Sequence, residues 1–313
     1  MRPQSLVLLA AAACCAFAAD TAPVSGKAWS VPLPDSGSIQ MSWIEPGSFT
    51  MGSPATEAGR HEDEAQFQVT LTHGYWMGAT ELTVAQWRRV MGDDLRGHLT
   101  KVIKDDTLYD FDGKKQTIRD FMRLSLDGDI GRFLANEDEG MPMYYASWND
   151  AMEFAAKLTE LERKAGRLPA GYKYTLPTEA QWERACRAGN ADATYAPVLT
   201  DIAWYSVNAG EGYTGKPMGR NGGPRLAGLK KPNAWGLFDM AGNLWEWCLD
   251  WYGPYPTWSV SDPTGPATGV KRVDRGGSFG SGASAERSAN RASNPPAEAS
   301  AYRGFRIALT YGK

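Results

Sequence analysis

Two carboxylates, Asp239 and Glu246, flank a short glycine-containing stretch toward the C-terminal end of the chain. A hard cation such as Ca²⁺ takes carboxylate and carbonyl oxygens as ligands, and a loop with glycine can turn its carbonyls inward. The two negative charges would also nearly neutralise such an ion. The alternative is that both side chains only hydrogen-bond to neighbouring backbone.

A second stretch that could carry chemistry follows Gly276 and Gly277 and runs from Ser278 to Arg291. It holds hydroxyl, carboxylate and guanidinium groups, among them Ser281 and Glu286, but no cysteine. Hydroxyl and carboxylate are poor ligands for Cu(I), which needs soft thiolates. We therefore expect no copper and no redox-active disulfide in this stretch.

The four cysteines and three histidines also limit the chemistry of the chain. Cys14 and Cys15 fall in a predicted signal segment, which leaves Cys186 and Cys248. Those two could form one disulfide in an oxidising compartment or remain two buried thiols. Three histidines in the whole chain do not predict a multi-histidine metal centre.

Residues 1–18 have the three parts of a secretory signal. Arg2 supplies the positive charge, Leu6 to Ala13 the apolar run, and Ala16-Phe17-Ala18 the cleavage pattern. The run is too short to cross about 30 Å of hydrocarbon, so we expect no direct membrane insertion. A lipoprotein anchor at Cys14 or Cys15 stays open, although Ala11 stands where such a signal prefers leucine. The predicted location is the bacterial periplasm.

Composition indicates a globular, loop-rich protein. Of 313 residues, 42% are hydrophobic, and 12 tryptophans accompany 34 glycines. The 33 basic residues balance 36 acidic ones, so charge gives no indication of a nucleic-acid partner.

The elements that must position these groups are short. After a polar lead-in over 19–38, Met41–Gly52 predicts a hairpin with a Pro-Gly turn, and Gln66–Leu71 alternates as a strand. Capping residues predict helices from Thr83 to about Met91, from Ser147 to Gly166 and from Thr178 to Gly189. The inward face of the second helix is predicted to carry Ala151, Phe154, Ala155, Leu158 and Leu161. Few helices and many short strands favour one α+β domain.

Several segments resemble the formylglycine-generating enzyme (sulfatase-modifying factor) family. They are Met41–Gly52, Thr80–Trp87, Leu176–Arg187, Asn233–Cys248, Arg272–Ser278 and Gly304–Arg306. The resemblance implies a C-type-lectin-like fold over residues 39–313.

The same resemblance implies roles for individual residues. It makes the carboxylates of Asp239 and Glu246 and the carbonyls of Gly242 and Leu244 the ligands of a structural calcium ion. It places side chains along an active groove, namely Trp245, Ser278 and Arg291, with Ser281 and Glu286 near the positions of the family's two catalytic cysteines. Without that cysteine pair no catalytic residue is expected. For Arg291 and Arg306, packing and backbone pairing is the alternative role.

Residues 92–139 form an insertion relative to the family, with about a dozen acidic residues against eight basic ones. Ile118, Phe121, Met122 and Leu126 recur at helical spacing, which predicts an amphipathic helix over 117–126. Asp110–Gly113 and Asp127–Asp129 are interpreted as solvated turns. The insertion is expected to be a partner surface or a lid.

The thiol-free groove, signal segment and insertion make the chain similar to the TagR type within the family, a periplasmic accessory of type VI secretion. This similarity implies a non-catalytic regulator that promotes activation of the secretion threonine kinase pathway. The partner would be the periplasmic part of the membrane kinase or an outer-membrane lipoprotein. The alternatives are a divergent periplasmic oxidase of the pyoverdine-maturation (PvdO) type and an unassigned binding role.

Overall fold

The computed structural model describes residues 24–124, 130–212 and 222–312, and these ranges form a mixed α+β domain with few helices. The predicted fold class is confirmed. The predicted signal over 1–18 lies outside the described residues. Within those ranges, no helix combines the length and apolarity that crossing a bilayer requires.

The strands are short, and none exceeds seven residues among those described. In chain order they are β1 Ala28–Pro32, β2 Ser38–Ile44, β3 Gly47–Met51, β4 Phe67–Leu71, β5 Tyr75–Gly78, β6 Tyr109–Phe111, β7 Lys114–Gln116, β8 Tyr172–Thr175, β9 Ala203–Trp204, β10 Ala241–Gly242, β11 Trp245–Trp251, β12 Val260–Ser261, β13 Arg272–Arg275, β14 Arg291–Asn294, β15 Arg303–Gly304 and β16 Ala308–Tyr311.

The described helices are α1 Val84–Met91, α2 Leu95–Lys104, α3 Ile118–Phe121, α4 Trp148–Lys164, α5 Glu179–Arg187 and α6 Leu199–Ile202. The three predicted starts are confirmed, since Thr83, Ser147 and Thr178 each cap a helix through a reciprocal capping box. Each box satisfies backbone N–H groups that have no partner inside the helix.

Two larger sheets position the site. An antiparallel five-stranded sheet has the order β1-β2-β5-β16-β8, and a four-stranded sheet has the order β14-β13-β11-β15. In the second sheet, β11 pairs antiparallel with β13 and parallel with β15. A three-stranded sheet, β12-β4-β3, completes the body around α5.

The predicted hairpin over Met41–Gly52 is wrong. Its two strands form, but β2 pairs with β1 and β5 whereas β3 pairs with β4 in another sheet. Arg184 stabilises the corner between them by donating to the carbonyls of Glu45 at 3.0 Å and Pro46 at 3.4 Å. Alternation within each strand could not reveal this change of sheet.

The segment interpreted as a polar lead-in, 19–38, contains β1, which pairs with β2 from Ala28 to Pro32. Val31 and Leu33 from this segment are buried in the main core. The domain therefore begins before residue 39.

The insertion is part of the core. Its elements α2, β6 and α3 bury Leu99, Ile103, Phe111 and Ile118 in the same hydrophobic cluster as Trp87 and Phe154. The helix predicted over 117–126 is confined to Ile118–Phe121. In α4, Leu161 is 36% exposed, and Glu162, which pairs with Arg167, is buried in its place.

Candidate functional site

The loop before β11 brings three buried acidic side chains toward one arginine. Glu81 follows β5, Asp239 precedes β10, and Glu246 lies in β11, while Arg306 enters just before β16. All four are buried. If all ionise, three negative charges face the single positive charge of Arg306.

Glu246 is held by an ion pair. Arg306 donates to both of its carboxylate oxygens at 2.6 Å, and the indole N–H of Trp182 donates to Oε2 at 2.8 Å. Arg306 also donates to the backbone carbonyls of Gly78 and Phe238. Arg306 therefore has the structural role, packing and pairing with backbone, that the sequence left open for it.

Asp239 is only half satisfied. Its Oδ2 accepts from the N–H of Gly228 at 2.6 Å, but its buried Oδ1 has no hydrogen-bond partner among the described residues. Burial raises the pKa of Asp239 to about 6, and the charge of Glu246 adds to the effect. A buried carboxylate oxygen without a partner is costly unless a proton or a cation compensates it.

Glu81 is a third acidic residue at this loop and was not among the predicted site residues. It accepts from the N–H of Leu244 at 3.1 Å and from the side chain of Asn243 at 3.0 Å. Burial, followed by the charges of Asp239 and Glu246, raises the pKa of Glu81 well above its usual range. The sequence pattern around Glu81 shows only that it precedes the helix cap Thr83 by two positions, which does not indicate a contact with the loop.

The loop geometry requires glycine at one position. Gly242 has φ +78°, and a Cβ there would lie 2.3 Å from the carbonyl oxygen of Trp204. Among the described residues no group of three or more His, Cys, Asp or Glu side chains is arranged to hold a metal ion. A cation at this loop would therefore depend on backbone carbonyls as well as on Asp239.

The segment that begins at Ser278, the second candidate stretch, starts with a tight turn after β13. Gly276 and Gly277 have φ of +96° and +77°, and the hydroxyls of Ser278 and Ser281 lie 3.0 Å apart. The Ser278 N–H also donates to Ser281 Oγ at 3.1 Å. The turn thus brings two of the predicted groove residues together.

Glu286 lies behind this turn and is 1% exposed. Both carboxyl oxygens lack a hydrogen-bond partner among the described residues, and a Cβ on Gly277 would lie 2.4 Å from them. Burial raises the pKa of Glu286 well above its usual range, and the nearby N–H groups of Ser278 and Gly242 oppose this only partly. Those N–H groups already donate to Ser281 Oγ and to the Gly276 carbonyl.

The guanidinium of Arg291 is already hydrogen-bonded within the protein and is not free to bind a ligand at the Ser278–Ser281 turn. It donates to both carboxylate oxygens of Glu179, at 2.6 and 2.9 Å, and to the carbonyls of Asp63 and Gly253. Its guanidinium also stacks over Tyr255 at 3.8 Å from the ring centroid. Trp245 is half-buried where β11 meets β15.

Cys186 and Cys248 are free thiols and are buried in the cluster around Trp182. Burial raises the pKa of Cys186 to about 11 and that of Cys248 well above its usual range. Of the two options left open by the sequence, the structure has the buried thiols. Thiolates, the reactive form, are therefore disfavoured at both positions near neutral pH.

The predicted partner-surface residues face inward where they are described. Ile118 is buried, Phe121 stacks on Phe111 with ring centroids 4.1 Å apart, and Met122 packs against the main core. Leu126 lies outside the described residues. The turn at Asp110–Gly113 is a β-turn in which Asp110 accepts from the Gly113 N–H.

Comparison with known proteins identifies the relatives of this arrangement. The model of the family described as "Sulfatase-modifying factor enzyme 1-like domain" matches residues 31–311. A formylglycine-generating enzyme from Streptomyces coelicolor is 39% identical over 177 residues, 53% of this chain and 52% of that one. The chain spans about half the length of the first curated relatives it matches, 52% and 55%.

Two further similarities extend the comparison. The serine/threonine-protein kinase pkn1 of Chlamydia pneumoniae is 40% identical over 138 residues, 42% of this chain and 20% of the kinase. The solved structure of PvdO from Pseudomonas aeruginosa superposes with a TM-score of 0.67 at 23% identity, covering 92% of this chain and 99% of that one. At that identity the superposition shows a shared fold.

Proposed function

Because this chain belongs to the sulfatase-modifying factor family, we propose that it acts as a binding member of that family rather than as an oxidase. One observation carries the proposal. The turn after Gly277 presents hydroxyls and a buried carboxyl where the family places its thiols, while Cys186 and Cys248 are buried in the core. Oxidation through thiolate-bound Cu(I) needs accessible thiolates, which this turn lacks.

The finer proposal is a TagR-type regulator that promotes activation of the type VI secretion threonine kinase pathway from the periplasm. It is supported by the secretory pattern of residues 1–18 and by the similarity of this domain to part of a chain named as a protein kinase. The partner is the periplasmic part of the membrane kinase or an outer-membrane lipoprotein.

The contact surface belongs to the outward side of the insertion. Leu108 is 62% exposed just before the β6–β7 hairpin, and Lys114 and Lys115 are exposed on that hairpin. We call Leu108, Lys114 and Lys115 the hairpin surface. It suits an acidic partner patch with an apolar centre, because charge complementarity selects partners and directs association.

Biolayer interferometry between the mature chain and the purified periplasmic part of the kinase tests this role. Leu108→Asp with Lys114→Glu is expected to weaken binding at least tenfold. Val198→Asp with Lys231→Glu, on an exposed surface around α6, is the matched control and is expected to bind as wild type. Equal binding by all three proteins, or no binding by wild type, would contradict the proposed contact.

A structural calcium ion at the β11 loop belongs to the same proposal. Asp239 would hold it through the unpartnered Oδ1, with the carbonyls of Gly242 and Leu244 beside it and Glu246 as the second carboxylate. A divalent cation would favour the ionised forms of Glu81 and Asp239, whose pKa values are raised by burial in its absence, and three ionised acids would exceed the single charge of Arg306. When bound, the ion supplies charge neutralisation and ligand geometry, and Arg306 continues to orient Glu246.

The divergent oxidase of the PvdO type is the second candidate. The observation favouring it is Glu286, a buried acid behind the Ser278–Ser281 turn whose carboxyl oxygens accept no hydrogen bond from the residues that the structure describes. A carboxyl of raised pKa can hold a proton near neutral pH and release it to a neighbouring group. Measurement of oxygen uptake separates this candidate from the binding role.

A further inference from the structure

A cavity of about 680 Å³ lies beneath the loop that follows β11. The segment from Trp251 to Pro266 forms most of its wall, and the rest is formed by Met51, Phe67, Glu179, Ala180, Asp250 and Arg291. No residue of the Ser278–Glu286 turn or of the Asp239–Glu246 loop lines it. Its volume is in the range of small-molecule sites.

The wall is fixed before any ligand arrives. Four prolines lie in it, at positions 254, 256, 263 and 266. Asp262 accepts from the N–H and the hydroxyl of Thr72 at 2.8 and 2.5 Å, and Tyr252 donates to Asp63 at 2.6 Å. A rigid wall loses little conformational entropy when a ligand binds.

The buried Arg291 and Glu179 of the wall neutralise each other, and its exposed carboxylate, Asp262, accepts two hydrogen bonds from Thr72. Arg291 and Glu179 form a two-bond pair at 2.6 and 2.9 Å, and Tyr255 donates to the same carboxylate at 2.9 Å. An anionic ligand would have to leave water without finding a free positive charge there, because Arg291, the cation of the lining, is paired with Glu179. That desolvation is costly, so the lining favours an uncharged ligand over an anion.

Asp250 is a buried carboxyl of the wall with one hydrogen bond among the described residues. It is 3% exposed, and its Oδ2 accepts from the Glu179 N–H at 2.9 Å. Oδ1 makes no hydrogen bond to any described residue. Burial, and next the charge of Glu179, raises the pKa of Asp250 to about 8 against the opposing charges of Arg291 and Arg272. A carboxyl whose pKa is raised in this way keeps its proton to higher pH than an ordinary aspartate and can donate that proton to an acceptor.

Trp258 supplies an apolar face beside the cavity. It is 69% exposed, although a large indole in water is unfavourable, and Thr257, Ser261 and Thr264 add hydroxyls to the lining. The other aromatic faces are in use, since Arg291 stacks over Tyr255 and Arg272 lies 3.4 Å from the ring centroid of Trp251. The indole is thus available to a flat ligand.

We propose that this cavity binds an uncharged saccharide, whose ring stacks on Trp258 and whose hydroxyl or amide oxygen accepts a hydrogen bond from Asp250. A sugar ring has an apolar C–H face and polar edges, which match the indole and the hydroxyl lining. A purely apolar ligand would offer no acceptor to Asp250, whose hydrogen bond among the described residues is the one from the Glu179 N–H, and an unmade buried hydrogen bond costs about 1–3 kcal/mol. This site does not depend on the regulatory role proposed above.

Isothermal titration calorimetry of the mature chain with the neutral trisaccharide chitotriose tests the proposal. Wild type is expected to bind it saturably, and Trp258→Ala should weaken binding at least tenfold. Tyr302→Ala removes a partly exposed aromatic that is outside the cavity lining, so it is the matched control and should bind as wild type.

Variants at Asp250 test the hydrogen bond. Asp250→Asn keeps a donor and should bind chitotriose with little change, whereas Asp250→Leu should bind at least tenfold more weakly. Ionisation of Asp250 removes its proton, so wild-type affinity should fall between pH 7 and pH 9, while Asp250→Asn should show no such fall. The charged or titratable groups around it, Glu179, Arg291, Arg272 and Cys248, are unchanged in that variant.

Three results would overturn the proposal. One is no measurable binding of chitotriose or maltotriose by wild type. Another is equal binding by Trp258→Ala and wild type. The third is tighter binding of charged trigalacturonate or of pentaproline than of either neutral sugar, which would assign the cavity to another ligand class.

Discussion

At the scale of single residues, the two carboxylates of the β11 loop, Asp239 and Glu246, differ in how they are paired. Asp239 and Glu246 were singled out together, yet Glu246 is paired with Arg306 and Trp182, while Oδ1 of Asp239 has no hydrogen-bond partner in the part of the chain that the structure describes. The pairing of Glu246 joins residues 60 positions apart, so no local pattern could reveal it. Glu81 was missed for the same reason.

Asp239 is therefore the residue that tests calcium binding. Asp239→Asn keeps an oxygen to accept from Gly228 and removes one buried negative charge. At pH 7.5 without calcium it should be at least as stable as wild type. Added calcium should stabilise only wild type, by about 2.7 kcal/mol at 100 times the dissociation constant, as thermal unfolding would measure.

Glu246 is unsuitable for that experiment. Its removal would leave Arg306 buried and unpaired, which typically costs about 3–5 kcal/mol and would hide any effect of calcium. An equal calcium-induced rise in melting temperature for wild type and Asp239→Asn would show that this loop is not the site.

At the scale of elements, helix starts could be predicted because their signals are local. Thr83, Ser147 and Thr178 each lie three residues before the partner that completes the cap. Strand pairing is non-local, which explains why β2 and β3 were placed in one hairpin. The helix α2 was missed because residues 92–139 were interpreted through their charge rather than through the spacing of Leu95, Leu99 and Val102.

The insertion over residues 92–139 is predicted to contribute to the stability of the fold. Phe121 stacks on Phe111 and packs against the core, so Phe121→Ala should lower the free energy of unfolding by about 2 kcal/mol. Leu161→Ala, at a half-exposed position of α4, is the control and should change it by less than about 0.5 kcal/mol. Urea titration followed by circular dichroism measures both.

A different result would support the predicted partner-surface role of Phe121 and its neighbours in the insertion. If Phe121→Ala left stability unchanged but abolished binding to the kinase's periplasmic part, the side chain would belong to a partner surface. Deletion of the whole insertion cannot decide the question, because it would also remove Leu99, Ile103 and Phe111 from the core.

At the scale of the whole molecule, fold and chemistry are separable. Ordered motifs spread along the chain predicted the family fold, and the match over residues 31–311 confirms it. The chemistry of the site is harder to predict than the fold, because it depends on which side chains occupy the turn from Ser278 to Glu286. The cavity beneath Trp251–Pro266 had no sequence signal, since its wall joins β4, α5 and β14 through tertiary contacts alone.

The most direct test of the binding role is oxygen uptake by the mature chain in the presence of Cu(I) and a cysteine-containing peptide. We expect wild type, and Cys186→Ser with Cys248→Ala, to consume oxygen at the rate of the same mixture without protein. Copper-dependent uptake by wild type above that background, lost in the double variant or in Glu286→Gln, would contradict the binding role and establish an oxidase.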